Sequence, residues 1–267
     1  MPPGNLEDWV ALALLRGVGP IALHRALARY GDPGEIAYRL SPSAWLSLRG
    51  VGPETVRSIH DSRLDLAKSV DREIRLCRKH AIQIVPLHDP DYPAALRELP
   101  DAPVVLYVLG SLPERVVRVA LVGSRRATAY GRRIAVGLGS ALAARGIEVV
   151  SGGARGIDTH AHRGALEAEG RTVAVLGSGL LEPYPRENRE LFETIAGSGA
   201  VVSEFPLEAP PLAEHFPRRN RLISGLSAAV VVVEAAPRSG AVAFLLCHPE
   251  RTKNPTAQLA TGAEDPR

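Results

Sequence analysis

The feature that most constrains the fold is a regular alternation of short apolar runs and helical stretches in the second half of the chain. Each apolar run is long enough for a buried strand and too short for a buried helix. The predicted strands are 116–122, 147–150, 172–176, 200–202 and 228–234, and the predicted helices are 131–144, 158–168, 187–196 and 220–226. This order predicts an α/β fold, a Rossmann-like parallel sheet with helices on both faces.

A six-residue repeat marks the first part of the chain. Leu15–Pro20 reads Leu-Arg-Gly-Val-Gly-Pro, and Leu48–Pro53 repeats it. Helical patterns flank each copy, and each proline falls where a first helical turn needs no N–H. The repeat predicts a small all-α domain of two helix-hairpin-helix units, of the SAM-like kind. Two interpretations stay open: the glycine turns contact a DNA backbone, or they only reverse the chain.

Four segments follow from these patterns. Residues 1–65 form the helical domain, 66–110 a connecting segment with short strands, 111–241 the Rossmann-like domain, and 242–267 an aberrant tail. The tail is polar and shows no further strand–helix unit, so we expect it to be disordered and the C-terminal end of the fold to be truncated.

Composition narrows the class of protein. The formal net charge is +3, from 32 basic and 29 acidic residues, and all the basic residues except Lys68, Lys79 and Lys253 are arginine. A GC-rich genome explains the total equally well, but not the positions of the arginines. No apolar run could span a bilayer, no signal peptide is visible, and two cysteines cannot build a disulfide framework. We therefore expect a cytoplasmic protein without membrane contact.

The loops after the predicted strands carry glycine and arginine together. Ligands of open parallel sheets bind at the carboxyl ends of the strands, where glycines let a backbone approach phosphates and arginines supply charge. The candidate binding residues are Gly123, Ser124, Arg125, Arg126, Gly153, Arg155, Gly156, Gly177, Ser178, Gly179, Arg186, Asn188, Arg218, Asn220 and Arg221. Their spread over four loops predicts a long track for successive phosphates of a single strand.

Catalytic and cofactor sites are poorly supported by the sequence. Neither a Gly-x-Gly-x-x-Gly fingerprint after the first strand nor a P-loop is present, so no nucleotide cofactor is expected. His160 and His162 are two apart on a helix and face different sides, which argues against a shared metal ion. Asp158 is most simply a helix cap. No nucleophile has an evident base, so the chain is predicted not to be an enzyme.

Ordered motifs over about residues 5–241 resemble the DNA-processing protein A family (DprA, also called Smf). The matching stretches are 89–93 with Leu96, 106–107 with Gly110, 123–125, 151–158 with 161–162, 177–179 with 184–185 and Asn188, 203–206, 216–226, and 239–241. The resemblance implies a protein of natural transformation that binds and protects incoming single-stranded DNA and assists loading of the RecA recombinase. It also implies a homodimer and no cofactor.

The resemblance assigns residues by matched position. Arg125 and the loop around Arg155 and Gly156 would line the DNA pocket, with Arg186, Arg218, Asn220 and Arg221 as further contributors. The family pattern is missing after Ala241, which leaves dimerisation and RecA contact open for this chain.

Two other functions are weighed against DNA binding. A phosphoribohydrolase-like enzyme would need a Pro-Gly-Gly-x-Gly-Thr loop, whereas residues 151–156 read Ser-Gly-Gly-Ala-Arg-Gly. A scaffold that contacts RecA without binding DNA is compatible with the altered end.

Overall fold

Seven strands form one sheet in the computed structural model, which describes residues 4–235. The strands are β1 (Ile82–Pro86), β2 (Val105–Gly110), β3 (Arg118–Gly123), β4 (Glu148–Ser151), β5 (Thr172–Val175), β6 (Ala200–Ser203) and β7 (Ala229–Glu234). Their spatial order is β1-β2-β6-β5-β4-β3-β7. All five strands predicted in the second half of the chain are present, within one or two residues of the predicted bounds.

The sheet is mixed rather than wholly parallel. Strands β6, β5, β4, β3 and β7 run parallel, while β2 pairs antiparallel with β6 and β1 antiparallel with β2. The short strands predicted in the connecting segment, at 82–85 and 104–108, are therefore part of the main sheet. The α/β class with helices on both faces is confirmed, and the two antiparallel strands extend the predicted parallel part.

Ten α-helices lie within the described residues. They are α1 (Leu6–Ala13), α2 (Pro20–Tyr30), α3 (Pro42–Leu46), α4 (Pro53–Arg63), α5 (Leu66–Lys79), α6 (Ala94–Arg97), α7 (Ala129–Ala143), α8 (Ile157–Glu167), α9 (Arg189–Ser198) and α10 (His215–Gly225). A π-helical turn (Glu35–Arg39) and a 3₁₀ turn (Arg186–Asn188) complete them.

Strand residues alternate between the two faces of the sheet, and each face is covered by a different set of helices. Val122, Val150 and Val175 join one apolar cluster with Leu222 and Ile223 of α10. Strand residues of opposite parity, which point to the other face, pack against α7 and α8 or against α9. Burial on both faces explains why these strands read as continuous apolar runs.

Each copy of the six-residue repeat connects two helices, as predicted. The first links α1 to α2 and the second links α3 to α4. Gly17 and Gly50 have φ of 75° and 87°, a left-handed conformation that a side chain rarely adopts. Gly19 and Gly52 are the N-cap residues of α2 and α4, and a proline follows each.

The helical part packs directly on the sheet. Trp9 of α1 and Leu66 of α5 belong to the same apolar cluster as Tyr107 of β2. Polar contacts add to this packing: a ring nitrogen of His24 lies 2.8 Å from the carbonyl oxygen of Ala102, and Glu73 accepts a hydrogen bond from the backbone N–H of Leu207 at 2.7 Å. The helices and the sheet therefore share one continuous core.

Some expectations fall outside the described part of the chain. The predicted tail 242–267 and the truncated end of the fold lie outside residues 4–235. Among the helices that are described, none combines the length and the apolar character needed to cross a bilayer.

Candidate nucleic-acid interface

A cleft of about 660 Å³ opens at the carboxyl ends of the parallel strands. The loop after β3, the start of α8 and the start of α10 form its walls. Its lining residues are Gly123, Ser124, Arg125, Arg126, Ala154, Asp158, Tyr184, Pro211, Ala213, Phe216, Pro217, Arg219 and Asn220. Five of the candidate binding residues therefore meet in one place: Gly123, Ser124, Arg125, Arg126 and Asn220.

Arg125 and Arg126 provide the exposed positive charge of this cleft. Both follow the buried strand β3, and neither forms an ion pair with a carboxylate of residues 4–235. The Arg125 guanidinium lies 5.2 Å from the centre of the Phe216 ring, a cation–π distance that holds it over the cleft. These two side chains can bind phosphate without first breaking a salt bridge.

Two aromatic rings form one wall. Tyr184 and Phe216 meet edge to face, with ring centres 5.7 Å apart, and Tyr184 is 40% exposed. A ring that keeps an exposed face beside arginines can stack on a nucleobase whatever its identity. Such a wall is compatible with a ligand that alternates phosphates and bases.

Two buried side chains, Asp158 and Arg219, form the floor. Asp158 accepts hydrogen bonds from the backbone N–H groups of Gly152 and Ala154 at 3.2 and 3.3 Å. Arg219 donates to the carbonyl oxygens of Gly152 and Val175. Burial raises the pKa of the Asp158 carboxyl, against the opposing effect of Arg219 and of these N–H donors. Burial lowers the pKa of Arg219 to about 10, so its guanidinium stays cationic at neutral pH.

The floor residues shape the loop rather than face the solvent. The N-cap of α8 is Gly156, so the interpretation of Asp158 as that cap is wrong. Its carboxylate instead binds the N–H groups of the preceding loop. Arg219 is 3% exposed and lies against Gly152, where the absence of a side chain makes room for the guanidinium.

His162 is fully buried nearby and does not share a metal site with His160. Its Nδ1 lies 2.8 Å from the Thr172 hydroxyl, and burial lowers its pKa to about 3. The His160 Nδ1 instead lies 2.8 Å from the Gly156 carbonyl oxygen. Within the described residues, no group of three or more His, Cys, Asp and Glu side chains could hold a metal ion.

The segment 216–221 belongs to a helix and not to a loop. Helix α10 begins at His215, five residues before the predicted start, and Pro217 falls in its first turn, where no helical N–H bond is lost. A helix turns its successive side chains to different sides. Arg218 consequently points toward Glu204, Arg219 enters the floor, and Arg221 packs between Glu204 and Asp101.

Three of the six candidate arginines are held by the protein's own carboxylates. Arg221 is 8% exposed and pairs with Glu204 and Asp101, each at 2.8 Å, and Arg218 pairs with Glu204 at 2.9 Å. Arg155 pairs with Glu187 at the surface. Arg186 is exposed and has no ion pair within residues 4–235, but it does not line the cleft. The structure therefore has, in place of the predicted long track, a shorter cleft centred on Arg125 and Arg126.

The remaining candidate residues support the loops from behind. Asn188 is buried and donates to the Gly153 carbonyl and the Thr159 hydroxyl at 2.9 and 2.8 Å. A side chain at Gly156 would overlap the carbonyl oxygen of Ser124, so this glycine lets two loops touch. The third loop is buried at Gly177, Ser178 and Gly179 and does not line the cleft.

Four charged or aromatic residues of the cleft are missing from the candidate set: Asp158, Tyr184, Phe216 and Arg219. Tyr184 and Phe216 were visible as aromatics near the loops, which is the one signal that could have found them. No sequence pattern identifies Asp158 and Arg219 as cleft residues, because their burial and their hydrogen bonds to the loop backbone arise only when the loops are assembled.

Comparison with known protein families identifies relatives of this chain. The family model described as DNA recombination-mediator protein A matches residues 83–253. Protein Smf of Synechocystis sp. is 40% identical over 242 residues, which cover 88% of this chain and 59% of that protein. DNA processing protein DprA of Bacillus subtilis is 37% identical over 173 residues, covering 64% of this chain and 58% of that protein. The chain spans a little under three fifths of the length of these two relatives.

Solved structures give the same result. DNA processing protein A of Streptococcus pneumoniae superposes with a TM-score of 0.75 at 30% identity, over 91% of this chain and 83% of that one. DNA processing protein A of Helicobacter pylori, described with a single-stranded DNA binding mode, gives 0.57 at 30% identity, over 64% and 78%. These descriptions name DNA processing and recombination mediation rather than a catalysed reaction, in agreement with the prediction of a non-enzyme.

Proposed function

Because the chain belongs to the DNA recombination-mediator protein A family, we propose that it binds single-stranded DNA in the cleft at the strand ends. The observation that carries the proposal is the pair of exposed arginines, Arg125 and Arg126, which no carboxylate of residues 4–235 neutralises. They contact consecutive phosphates, and Asn220 supplies a further polar group at the inner wall.

Bases stack on the aromatic wall in this proposal. Tyr184 and Phe216 offer ring faces to any base, so binding is independent of sequence. A duplex keeps its bases stacked on each other and cannot use these rings. The cleft therefore prefers single strands to duplexes.

The biological role follows from the family. The description as a recombination mediator supports a function in which the chain protects incoming single strands during transformation and assists RecA loading. A homodimer is part of the same proposal. Faster assembly of RecA filaments on strands pre-bound by this chain supports it, and unchanged assembly contradicts it.

The enzyme alternative finds no support in the cleft. Among residues 4–235, Asp158 is the one carboxylate that lines the cleft, and it is buried and accepts hydrogen bonds from two loop N–H groups. That arrangement positions the loop, and the described lining offers no exposed carboxylate as a base. We assign the cleft to binding.

The test measures single-strand affinity over a salt series. Replacing both Arg125 and Arg126 by alanine should weaken binding at least about tenfold, since a charge-assisted hydrogen bond contributes about 1.5–3 kcal/mol. The slope of log affinity against log salt should flatten by roughly 0.7 for each phosphate that the variant no longer binds.

Arg145→Ala is the matched control for this pair. Arg145 is exposed, and it follows the C-terminal end of α7, at the opposite edge of the sheet. This variant should bind as the unchanged chain does. Equal affinity and slope for the double variant and the control would show that the DNA site lies elsewhere.

A further inference from the structure

The two glycine turns of the helical part lie in a surface rich in arginine that the proposed cleft does not use. Five exposed arginines lie in the turns or on the helices after them: Arg16 and Arg49 in the turns, Arg25 and Arg29 on α2, and Arg57 on α4. None of the five forms an ion pair within residues 4–235. In the two repeats and the three residues after each, Glu54 is the one acidic residue. This twin-hairpin surface is thus strongly positive and not neutralised by the protein.

The two hairpins contact each other reciprocally. The first turn meets the second hairpin, since a Cβ at Gly17 would lie 2.6 Å from the Cβ of Ser58 on α4. The second turn meets the first hairpin, since Arg25 on α2 donates to the Arg49 carbonyl oxygen and Arg29 donates to the Ser47 hydroxyl at 3.1 Å. Reciprocal contacts of this kind indicate that the two hairpins are related by an approximate two-fold axis. The two turns are therefore equivalent, and each lies against the helix that follows the other turn.

The helix starts inside this surface are open. Gly19 and Gly52 have extended backbones. Within the described part of the chain no side chain caps either helix, and apart from chain neighbours nothing lies within 4 Å of a Cβ built at either glycine. An anion that reaches the arginines can therefore also approach the first-turn N–H groups.

We propose that the twin-hairpin surface binds the phosphate backbone of duplex DNA, with one turn on each strand. The two strands of a duplex are related by two-fold axes, which match the two-fold arrangement of the hairpins. Arginine is suited to bidentate phosphate contacts. The two six-residue repeats contain no aromatic residue, so they offer unpaired bases no ring to stack on. The surface therefore contacts backbone rather than bases.

A groove of about 570 Å³ lies beside this surface and beside the strand-end cleft. Arg16 of the first turn and Arg218 of α10 both line it, and Pro217, the neighbour of Arg218, lines the cleft. Of its carboxylates, Glu204 and Glu208 are ion-paired with arginines, Glu73 accepts the Leu207 N–H, and Asp65 has no ion pair within residues 4–235. If the proposed single-strand function also holds, the chain binds a single-strand–duplex junction more tightly than either form alone.

The sharpest test places charge at the two open N-cap positions. The double variant Gly19→Asp, Gly52→Asp should fold normally, because aspartate is a preferred N-cap residue and both positions have room. It should lose at least about tenfold in affinity for a short blunt duplex through repulsion of the phosphates. Its affinity for an oligo-dT strand of the same length should be unchanged.

Gly19→Asn, Gly52→Asn is the matched control, with the same capping geometry and no charge. It should lose much less duplex affinity than the aspartate pair. As a second arm, Arg25→Gln, Arg49→Gln should flatten the salt dependence of duplex binding by roughly 0.9 for each phosphate that is no longer neutralised.

Two results would overturn the proposal. One is duplex affinity that the aspartate pair leaves unchanged, and the other is an equal loss for duplex and single strand. Failure of the single-strand function is a separate result. In that case the Arg125→Ala, Arg126→Ala variant has the same affinity for oligo-dT as the unchanged chain, and the duplex measurement still tests the present proposal.

Discussion

At the scale of single residues, arginines at the strand ends differ in how strongly the protein already holds them. Arg125 touches an aromatic ring and no carboxylate of the described residues, whereas Arg155 forms an ion pair with Glu187 in which both side chains are at least half exposed. Solvent screens an exposed pair of this kind, so a phosphate can displace Glu187 at little cost. In the proposed complex, Arg155 is thus expected to contribute less than Arg125 and still to be available to a phosphate.

Removing the competing carboxylate tests this difference. Glu187→Gln should raise single-strand affinity about twofold to fivefold, because Arg155 is freed and one negative charge is removed near the cleft. Glu167→Gln, at the far end of α8, should leave affinity unchanged. Fluorescence anisotropy with a labelled strand measures both. A fall in affinity for Glu187→Gln would contradict this account of Arg155.

His162 predicts how stability depends on pH. Its pKa falls from 6.5 to about 3 in the folded protein, mainly through burial and then through Arg219. Between these values the unfolded chain binds a proton that the folded chain does not. The free energy of unfolding should therefore fall as pH decreases below 6.5, by up to about 1.4 kcal/mol per pH unit, and the loss should be complete near pH 3.

Denaturant unfolding between about pH 7 and pH 5 measures this effect, since most carboxylates titrate below that range. His162→Gln should abolish most of the pH dependence in this window. His60→Gln, at an exposed position on α4, should preserve it. Identical pH profiles for both variants would show that His162 is not the responsible group.

At the scale of elements, the cleft depends on the close approach of two loops. Gly156 has φ of 79°, and a Cβ there would overlap the Ser124 carbonyl oxygen. Gly146 has a similar φ of 70°, but nothing lies within 4 Å of its Cβ position. Gly146 therefore has backbone strain without a close contact, whereas Gly156, with φ of 79° and ψ of −126°, combines a conformation that favours glycine strongly with the contact between loops.

Alanine at each glycine should give unequal losses. Gly146→Ala should lower the free energy of unfolding by about 1–2 kcal/mol from strain alone. Gly156→Ala should lose a further 1–3 kcal/mol or so from the overlap, and it should also weaken single-strand binding because it displaces Ser124 and Arg125. Denaturant unfolding and anisotropy measure the two effects. Equal losses of stability at both positions would show that the loops are not packed against each other as described.

Sequence patterns predicted the parallel part of the sheet well and the last helix poorly. Short apolar runs such as 172–176 can only be buried strands between helices, so their order was readable. Helix α10 was predicted too short because Pro217 and two arginines resemble a loop, although a first turn accepts proline. Burial of Arg219 and Arg221 follows from that helix and could not be seen without it.

At the scale of the whole molecule, the pairing of β1 and β2 with β6 decides where the helical part sits. Periodicity identifies a strand but not its neighbours, so the antiparallel addition at this edge was not predictable. It brings α1 and α5 onto the sheet. The same arrangement places the first glycine turn on a groove beside the strand-end cleft.

The central claim is that single-stranded DNA occupies the cleft at the strand ends. Ultraviolet crosslinking of a bromodeoxyuridine-substituted strand, followed by peptide mapping, tests it most directly, because crosslinks form only with side chains that touch bases. The predicted crosslinks fall on the peptides that contain Tyr184 and Phe216, and the Arg125→Ala, Arg126→Ala variant should greatly reduce their yield. Efficient crosslinks that avoid both peptides, and that this variant leaves unchanged, would contradict the account.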